Sequence, residues 1–260
     1  MIKSIDFVTI ATNGYDNYAR NLVESAEMKL RPESKVKFHI FTDAARSFRQ
    51  TDKTLINIEL CLHEIKTLEW PDATLKRFEL INKVSDHLDA QVIAWIDADM
   101  LIHQDFLLEL NPTEWIEGYA FVRHPGFWRS EVLLRGNLSN PIRGLKDLVR
   151  ILTRGGLGTW EIRPSSSAYV PRSKRKTYCC GGFWLGRRDS ILDFTKQMEF
   201  KVAQDLENNL LATWHDESYL NNFVSNNHVS LLPPDFCYDS IYKMPPSIKC
   251  KIEAVRKVEQ

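Results

Sequence analysis

The chain predicts an α/β protein built on a mostly parallel sheet, and three observations carry that expectation. Apolar strand-like runs alternate with amphipathic helical stretches through the first hundred residues. The five-residue run Val92–Ile96 has the length and composition of a buried strand and leads straight into Asp97 and Asp99. At 260 residues, 43% hydrophobic and 26% charged, the chain is large enough to bury a full core as one domain.

The elements follow in order. Ile5 to Thr12 reads as a buried first strand and Tyr15 to Leu30 as the helix after it. Val36, Phe38 and Ile40 alternate in a second strand, and Leu55 to Leu60 alternate in the same way. Asp72 is placed to cap a helix carrying Leu75, Phe78, Leu80, Ile81 and Val84. Residues 129–158 hold several glycines, Pro141 and scattered basic residues around one amphipathic piece, Leu145–Leu152, and read as an insertion over the site. Tyr178 to Gly186 predicts a glycine-containing strand, Arg188 to Leu211 a helix and Glu217 to Asn227 another. No repeats interrupt this pattern, so 1–260 is expected to be one domain.

Global properties exclude several classes. Thirty-four acidic and 34 basic side chains cancel, which argues against nucleic-acid binding. Five cysteines are odd in number and lack zinc-ligand spacing, so reduced thiols are expected. The N-terminus does not read as a signal peptide and no run is long enough to span a bilayer, which predicts a cytoplasmic protein. The basic run Arg172–Lys176 reads first as a solvated loop, and otherwise as a peripheral membrane contact.

Two clusters carry chemistry. Strands of an open α/β sheet deliver their C-terminal ends to a ligand crevice. Two aspartates there, one residue apart, offer hard oxygen ligands to a divalent cation that bridges phosphates. The plainer reading is a turn cap. The second cluster is Trp214-His215-Asp216-Glu217-Ser218. An aromatic face for a pyranose ring beside carboxylates for its hydroxyls suits a sugar site. Alternatively, Asp216 and Glu217 merely complement the positive end of a helix dipole.

Trp214-His215-Asp216-Glu217-Ser218-Tyr219-Leu220-Asn221 resembles the W-H-D-E-S-x-L-N signature of glycosyltransferase family six, the ABO blood-group-type retaining α1,3-galactosyl- and N-acetylgalactosaminyltransferases. Other stretches agree in the same order. His124-Pro125-Gly126-Phe127-Trp128 resembles H-P-G-F-Y. Thr159 to Pro164 and Ser167 to Pro171 resemble T-Y-E-R-R-P and A-Y-I-P, and Pro234 to Asp239 resembles P-E-Y-L-W-D. The resemblance runs from about Ile10 to about Arg256.

It implies a GT-A type α/β/α sandwich, with a nucleotide-binding half at about 1–110 and an acceptor-binding half at about 111–260, and assigns roles by motif. Ile10, Ala11, Thr12 and Tyr15 would line a uridine pocket. Arg77 would reach the donor's phosphate and sugar. Asp97 and Asp99 would hold Mn²⁺ (or another divalent cation) against the diphosphate of a UDP-sugar. Lys251, or Lys249, and Arg256 would clamp the pyrophosphate. Asp216 would bind donor-sugar hydroxyls, and Glu217 would be the catalytic carboxylate, as nucleophile or as stabiliser of an oxocarbenium ion. His124, Thr159, Trp214 and Asp239 would receive a galactose-containing glycan. Cys180, Gly181 and Gly182 would sit beside the donor's C2 substituent, where Gly182 leaves room for the acetamido group of UDP-GalNAc. The expected activity is transfer of GalNAc to O3 of a β-galactoside. A UDP-Gal donor, a diverged acceptor, a glycan-binding protein on a transferase scaffold and a nucleotidyltransferase are the competing readings.

Overall fold

The computed structural model describes residues 1–128, 141–242, 244 and 246–255. Its first half runs β1 (Ser4–Ala11), α1 (Asp16–Lys29), β2 (Lys35–Thr42), α2 (Arg49–Thr54), β3 (Ile58–Glu64), α3 (Asp72–Leu75), α4 (Arg77–Lys83), β4 (Val92–Ile96), β5 (Met100–Ile102) and β6 (Tyr119–Arg123). Then follow α5 (Pro141–Arg154), β7 (Cys179–Arg187), α6 (Arg188–Glu207), α7 (His215–Asn226), β8 (Ser230–Leu232) and β9 (Ile252–Ala254).

Seven strands form one sheet in the order β3-β2-β1-β4-β7-β6-β8. The β3-β2-β1-β4 block is parallel throughout, whereas β7 runs antiparallel to both β4 and β6. A second sheet of β5 and β9 pairs Met100 with Ala254, so the tail is stitched to the strand that follows Asp99. The protein is thus a mixed α/β domain with a mostly parallel sheet between helices, as the alternation predicts.

The period of two along each strand divides the core. On β4, Val92, Ala94 and Ile96 join Phe7, Phe38 and α1 residues Leu22, Val23 and Ala26 on one face. Ile93 and Trp95 join Trp184, Phe78 of α4, Phe194 of α6 and Phe223 of α7 on the other. Helices therefore cover both faces and leave ligands the ends of the strands.

Local expectations shift in three places. The third strand lies at Ile58–Glu64 rather than Leu55–Leu60, because pairing Val36 with Ile58 fixes its register and leaves Ile56 at the surface. The helix expected after Asp72 breaks into α3 and α4, and Asp72 is its first residue, following Pro71, rather than a cap. Of the insertion, residues 129–140 lie outside the described residues, while the amphipathic piece is α5.

Candidate active site

The ends of β1 and β4 and the strand β7 converge on Arg77, the hub of the site. Its side chain is buried at the start of α4. Nη1 donates to Gly181 O (2.9 Å) and pairs with Asp216 Oδ2 (2.8 Å), Nη2 faces Asp97 Oδ1 (3.4 Å), and Nε donates to Thr74 O (3.1 Å). The guanidinium also lies 4.4 Å above the Trp95 ring. One cation thus fastens α4 to β4, β7 and α7, and offsets two carboxylates that burial alone would make costly.

Glu217 stands beside this hub. Its Oε2 accepts from the Gly181 N–H (2.8 Å), and the Tyr178 hydroxyl also hydrogen-bonds to it. Burial is the largest influence and raises its pKa to about 7, against the lowering from Tyr178, Gly181 and Arg77. Burial likewise raises Asp216 to about 7, although Arg77 pulls the other way. A Cβ on Gly181 would come within 2.9 Å of Asp216 Oδ2, so a larger residue would press on the carboxylate that pairs with Arg77. Behind them, Asn221 accepts from Cys179 N–H (2.8 Å) and donates to Cys179 O (2.9 Å) and Glu217 O (2.9 Å), which locks α7 to β7.

Two cavities meet at the aspartate pair. One, of about 250 Å³, is walled by Ile10, Thr12, Tyr15, Trp70, Arg77 and Trp95. The other, of about 230 Å³, is walled by His124, Cys180, Gly182, Glu217, Asp239 and Tyr242. Asp97 and Asp99 line both. Trp95 Nε1–H donates to Asp97 Oδ1 (2.8 Å), the oxygen that also faces Arg77. Its Oδ2 is turned toward Gly182, where a Cβ would stand 3.2 Å away. A hard oxygen pair at the junction of two cavities, one member presenting an oxygen beyond its structural bonds, fits a divalent cation.

The remaining sites of the sequence reading fall as follows. Ala11 is buried and does not line the first cavity. The His124 ring accepts a hydrogen bond from Gly126 N–H through Nδ1 (3.0 Å), and burial lowers its pKa to about 4, so it stands neutral with Nε2 protonated. Thr159 donates to the Tyr178 hydroxyl (2.8 Å). Trp214 is half-exposed at the start of α7, and His215 beside it has φ of 44° while its ring meets Trp70 edge-on at 4.6 Å. Lys251 lines neither cavity. Its ammonium pairs with Glu109 and lies 4.8 Å above the Phe236 ring. Lys249 contributes a backbone bond to Asp235 (3.3 Å). Arg256 lies outside the described residues. The run Arg172–Lys176 is largely exposed, as a solvated loop is, and is tied to its surroundings: Arg172 donates to Leu152 O, Lys174 to Asn226 Oδ1 and Arg175 to Val170 O.

The sequence reading missed Tyr178 and Trp95. Each sits two residues from a predicted site residue on the same strand or its extension, Tyr178 from Cys180 and Trp95 from Asp97. The alternation that exposes one member of each pair to the site brings the other to the same face.

A mostly parallel sheet between helices, ending in an acidic junction of two cavities, has the character of a GT-A type sandwich. Residues 155–260 match the family model described as Glycosyltransferase family 6. Over 256 residues the chain is 25% identical to Histo-blood group ABO system transferase 1 of Rattus norvegicus, covering 97% of the chain and 66% of the relative. It is 24% identical to Globoside alpha-1,3-N-acetylgalactosaminyltransferase 1 of Gallus gallus, covering 94% of the chain and 64% of that relative. To O-antigen biosynthesis glycosyltransferase WbnI of Escherichia coli it is 26% identical over 92% of the chain and 89% of the relative. The C-terminal stretch 155–260 is thus similar to glycosyltransferase family 6, and the relatives that match over most of the chain are named as glycosyltransferases. The chain spans just under two thirds of the length of the rat and chicken proteins it matches.

Proposed function

We propose that the chain is a retaining, Mn²⁺-dependent glycosyltransferase that moves GalNAc, or Gal, from a UDP-sugar to O3 of a β-galactoside-type acceptor in α1,3 linkage. The observation that carries this reading is the junction of the two cavities at Asp97 and Asp99, with Arg77, Asp216 and Glu217 gathered beside it. The first cavity has the size and mixed lining to receive a uridine. The second brings the carboxylate of Glu217 and the neutral imidazole of His124 to one space.

Asp97 and Asp99 would hold the cation. When bound it would act as a Lewis acid that offsets charge on the departing UDP. The chain's own residues do the rest. Arg77 fixes Asp216 where a donor-sugar hydroxyl can donate to it. The Gly181 N–H and the Tyr178 hydroxyl orient Glu217, whose carboxylate would face the anomeric carbon. There it stabilises positive charge or forms the bond that inversion then breaks; two inversions, or one front-face transfer, retain configuration. His124, Thr159, Trp214 and Asp239 are the proposed acceptor contacts. Gly182 leaves space for an acetamido group, which favours UDP-GalNAc.

No helix among the described residues is long and apolar enough to cross a membrane. A peripheral contact through Arg172–Lys176 remains part of the proposal, and the apolar side chains Leu145, Leu148 and Leu152 of α5 are more than half exposed nearby.

UDP release from UDP-GalNAc and UDP-Gal, with a small β-galactoside and with Mn²⁺ or EDTA, tests the reading. Release that needs the metal and runs faster with UDP-GalNAc is expected. Full activity in EDTA would remove the metal role from the aspartates. Glu217→Gln should lower kcat by about 10²–10³, the usual loss for one electrostatic stabiliser, with UDP affinity kept. Near-normal turnover in that variant would sink the assignment.

A further inference from the structure

A third cavity, of about 470 Å³, lies between α5 and the segment that leads into β7. Among the described residues its charged lining is cationic, Arg123 at the end of β6, then Arg175 and Lys176, with no carboxylate. The opposite wall is aromatic, with Phe127, Trp128 and Tyr178. Arg150 of α5 adds a guanidinium 5.5 Å from the Phe127 ring centroid.

This charge is fixed in place. Arg175 Nε–H donates to Val170 O (2.9 Å), and a Cβ on Gly156 would come within 2.6 Å of Arg175 O, so the two stretches of backbone approach as closely as glycine permits. The cavity also adjoins the transfer site. Tyr178 lines it, accepts from Thr159 (2.8 Å) and hydrogen-bonds to Glu217. A concave site with one sign of charge and low-dielectric walls concentrates anions. Guanidinium forks and an ammonium match phosphate oxygens, while aromatic faces pack on the apolar side of a sugar ring.

We propose that this cavity is an acceptor subsite for the phosphate- or diphosphate-bearing end of a glycan, placed so that the sugar beyond it reaches Tyr178 and Glu217. The inference rests on the glycosyltransferase reading and deepens it by giving the acceptor a charge. Two sources share that chemistry: a free sugar phosphate and a glycan joined through diphosphate to a lipid. The cavity wall includes Ile151 of α5, and on the same helix Ile142, Leu145, Leu148 and Leu152 are exposed, an apolar surface that a lipid tail would cover.

The test compares three β-galactosides at saturating UDP-sugar: an uncharged methyl glycoside, a short-alkyl diphosphate and a long-alkyl diphosphate in detergent. In the wild type, kcat/KM for the diphosphates should exceed that for the methyl glycoside at least tenfold, and added salt should shrink the ratio. Lys176→Glu and Arg123→Gln should each bring the ratio close to one with the KM for UDP-sugar unmoved. A further gain for the long chain identifies the lipid-linked source, and equal rates for both chains the free one. Equal use of charged and uncharged acceptors by the wild type, or a preference that survives both variants, overturns the subsite. If no acceptor receives sugar, the transferase reading fails. The cavity is then read by titrating methyl diphosphate into UDP-saturated protein in EDTA. Binding weakened tenfold by Lys176→Glu supports the anion site, and absent or unchanged binding ends it.

Discussion

The walls of the two cavities that meet at Asp97 and Asp99 are built in different ways. The first wall comes from the parallel block. Ile10 lies on β1 and Thr12 just past its end, Trp95 lies on β4 and Asp97 just past its end, and the two strands are paired in register, Val8 opposite Trp95. The second wall is assembled from segments far apart in sequence: His124 after β6, Cys180 and Gly182 on β7, Glu217 on α7 and Asp239 in the tail. Side-chain bonds hold it, Gly181 to Glu217 across 36 positions, Cys179 to Asn221 across 42 and Thr213 to Glu161 across 52. A wall set by strand register tolerates side-chain changes, because the ladder holds it. A wall set by a few polar side chains stands or falls with them.

Arg77 spans both walls, so its loss should do most harm. Arg77→Ala leaves Asp97 and Asp216 without their shared cation, at about 3–5 kcal/mol for a broken buried pair. Chemical denaturation should show that loss, and activity should fall below detection. A folded, active Arg77→Ala would contradict the hub. Next comes the contrast itself. Asn221→Ala strips partners from the buried N–H and C=O of Cys179 and should cost about 2–3 kcal/mol. Thr12→Ala, on the first wall, loses only long bonds to Leu68 (3.3 and 3.4 Å) and should cost about 1 kcal/mol. Equal losses in the two variants would erase the distinction between the walls.

A pH titration sharpens the same point. Burial would raise the Glu161 carboxyl, but hydrogen bonds from Arg163 and Thr213 outweigh it and hold the pKa at about 2, below the ordinary 4.5. Its contribution is therefore complete above pH 4.5 and disappears as the pH falls toward 2. Because Arg163 is partly exposed, the effect should be on the order of 1–2 kcal/mol. Wild type should lose that stability over this interval relative to Glu161→Gln, and parallel curves would refute the network. The smallest effect is expected at Gly182. A Cβ there would crowd Asp97 Oδ2 and Met100, so Gly182→Ala should shift kcat/KM toward UDP-Gal over UDP-GalNAc by roughly tenfold. An unchanged ratio would remove Gly182 from donor choice.

The same contrast explains what was legible in the sequence. Val92–Ile96 announces a buried strand by composition, and strand ends in an open sheet face a crevice, so Asp97 and Asp99 could be read from neighbours alone. The Trp214–Ser218 cluster was legible as a motif, but its partner Tyr178 was not, since nothing local in Tyr178 shows that it will reach Glu217 from another element. Lys251 has a partner of the same kind. Its pyrophosphate role is implied by the family resemblance alone, and the fold sets Glu109 beside its ammonium from 142 positions away, which no local pattern announces. The shift of β3 has a similar origin: residues 55–60 alternate convincingly, and only pairing with Val36 decides which alternation is used.

Both cavities are proposed to serve one reaction across the aspartate pair. The most direct measurement is NMR of the disaccharide product formed from UDP-GalNAc and a β-galactoside in Mn²⁺, reading the anomeric coupling and the substituted position. A new α linkage at O3 is expected. A β linkage, or hydrolysis of UDP-GalNAc with no disaccharide, would contradict it.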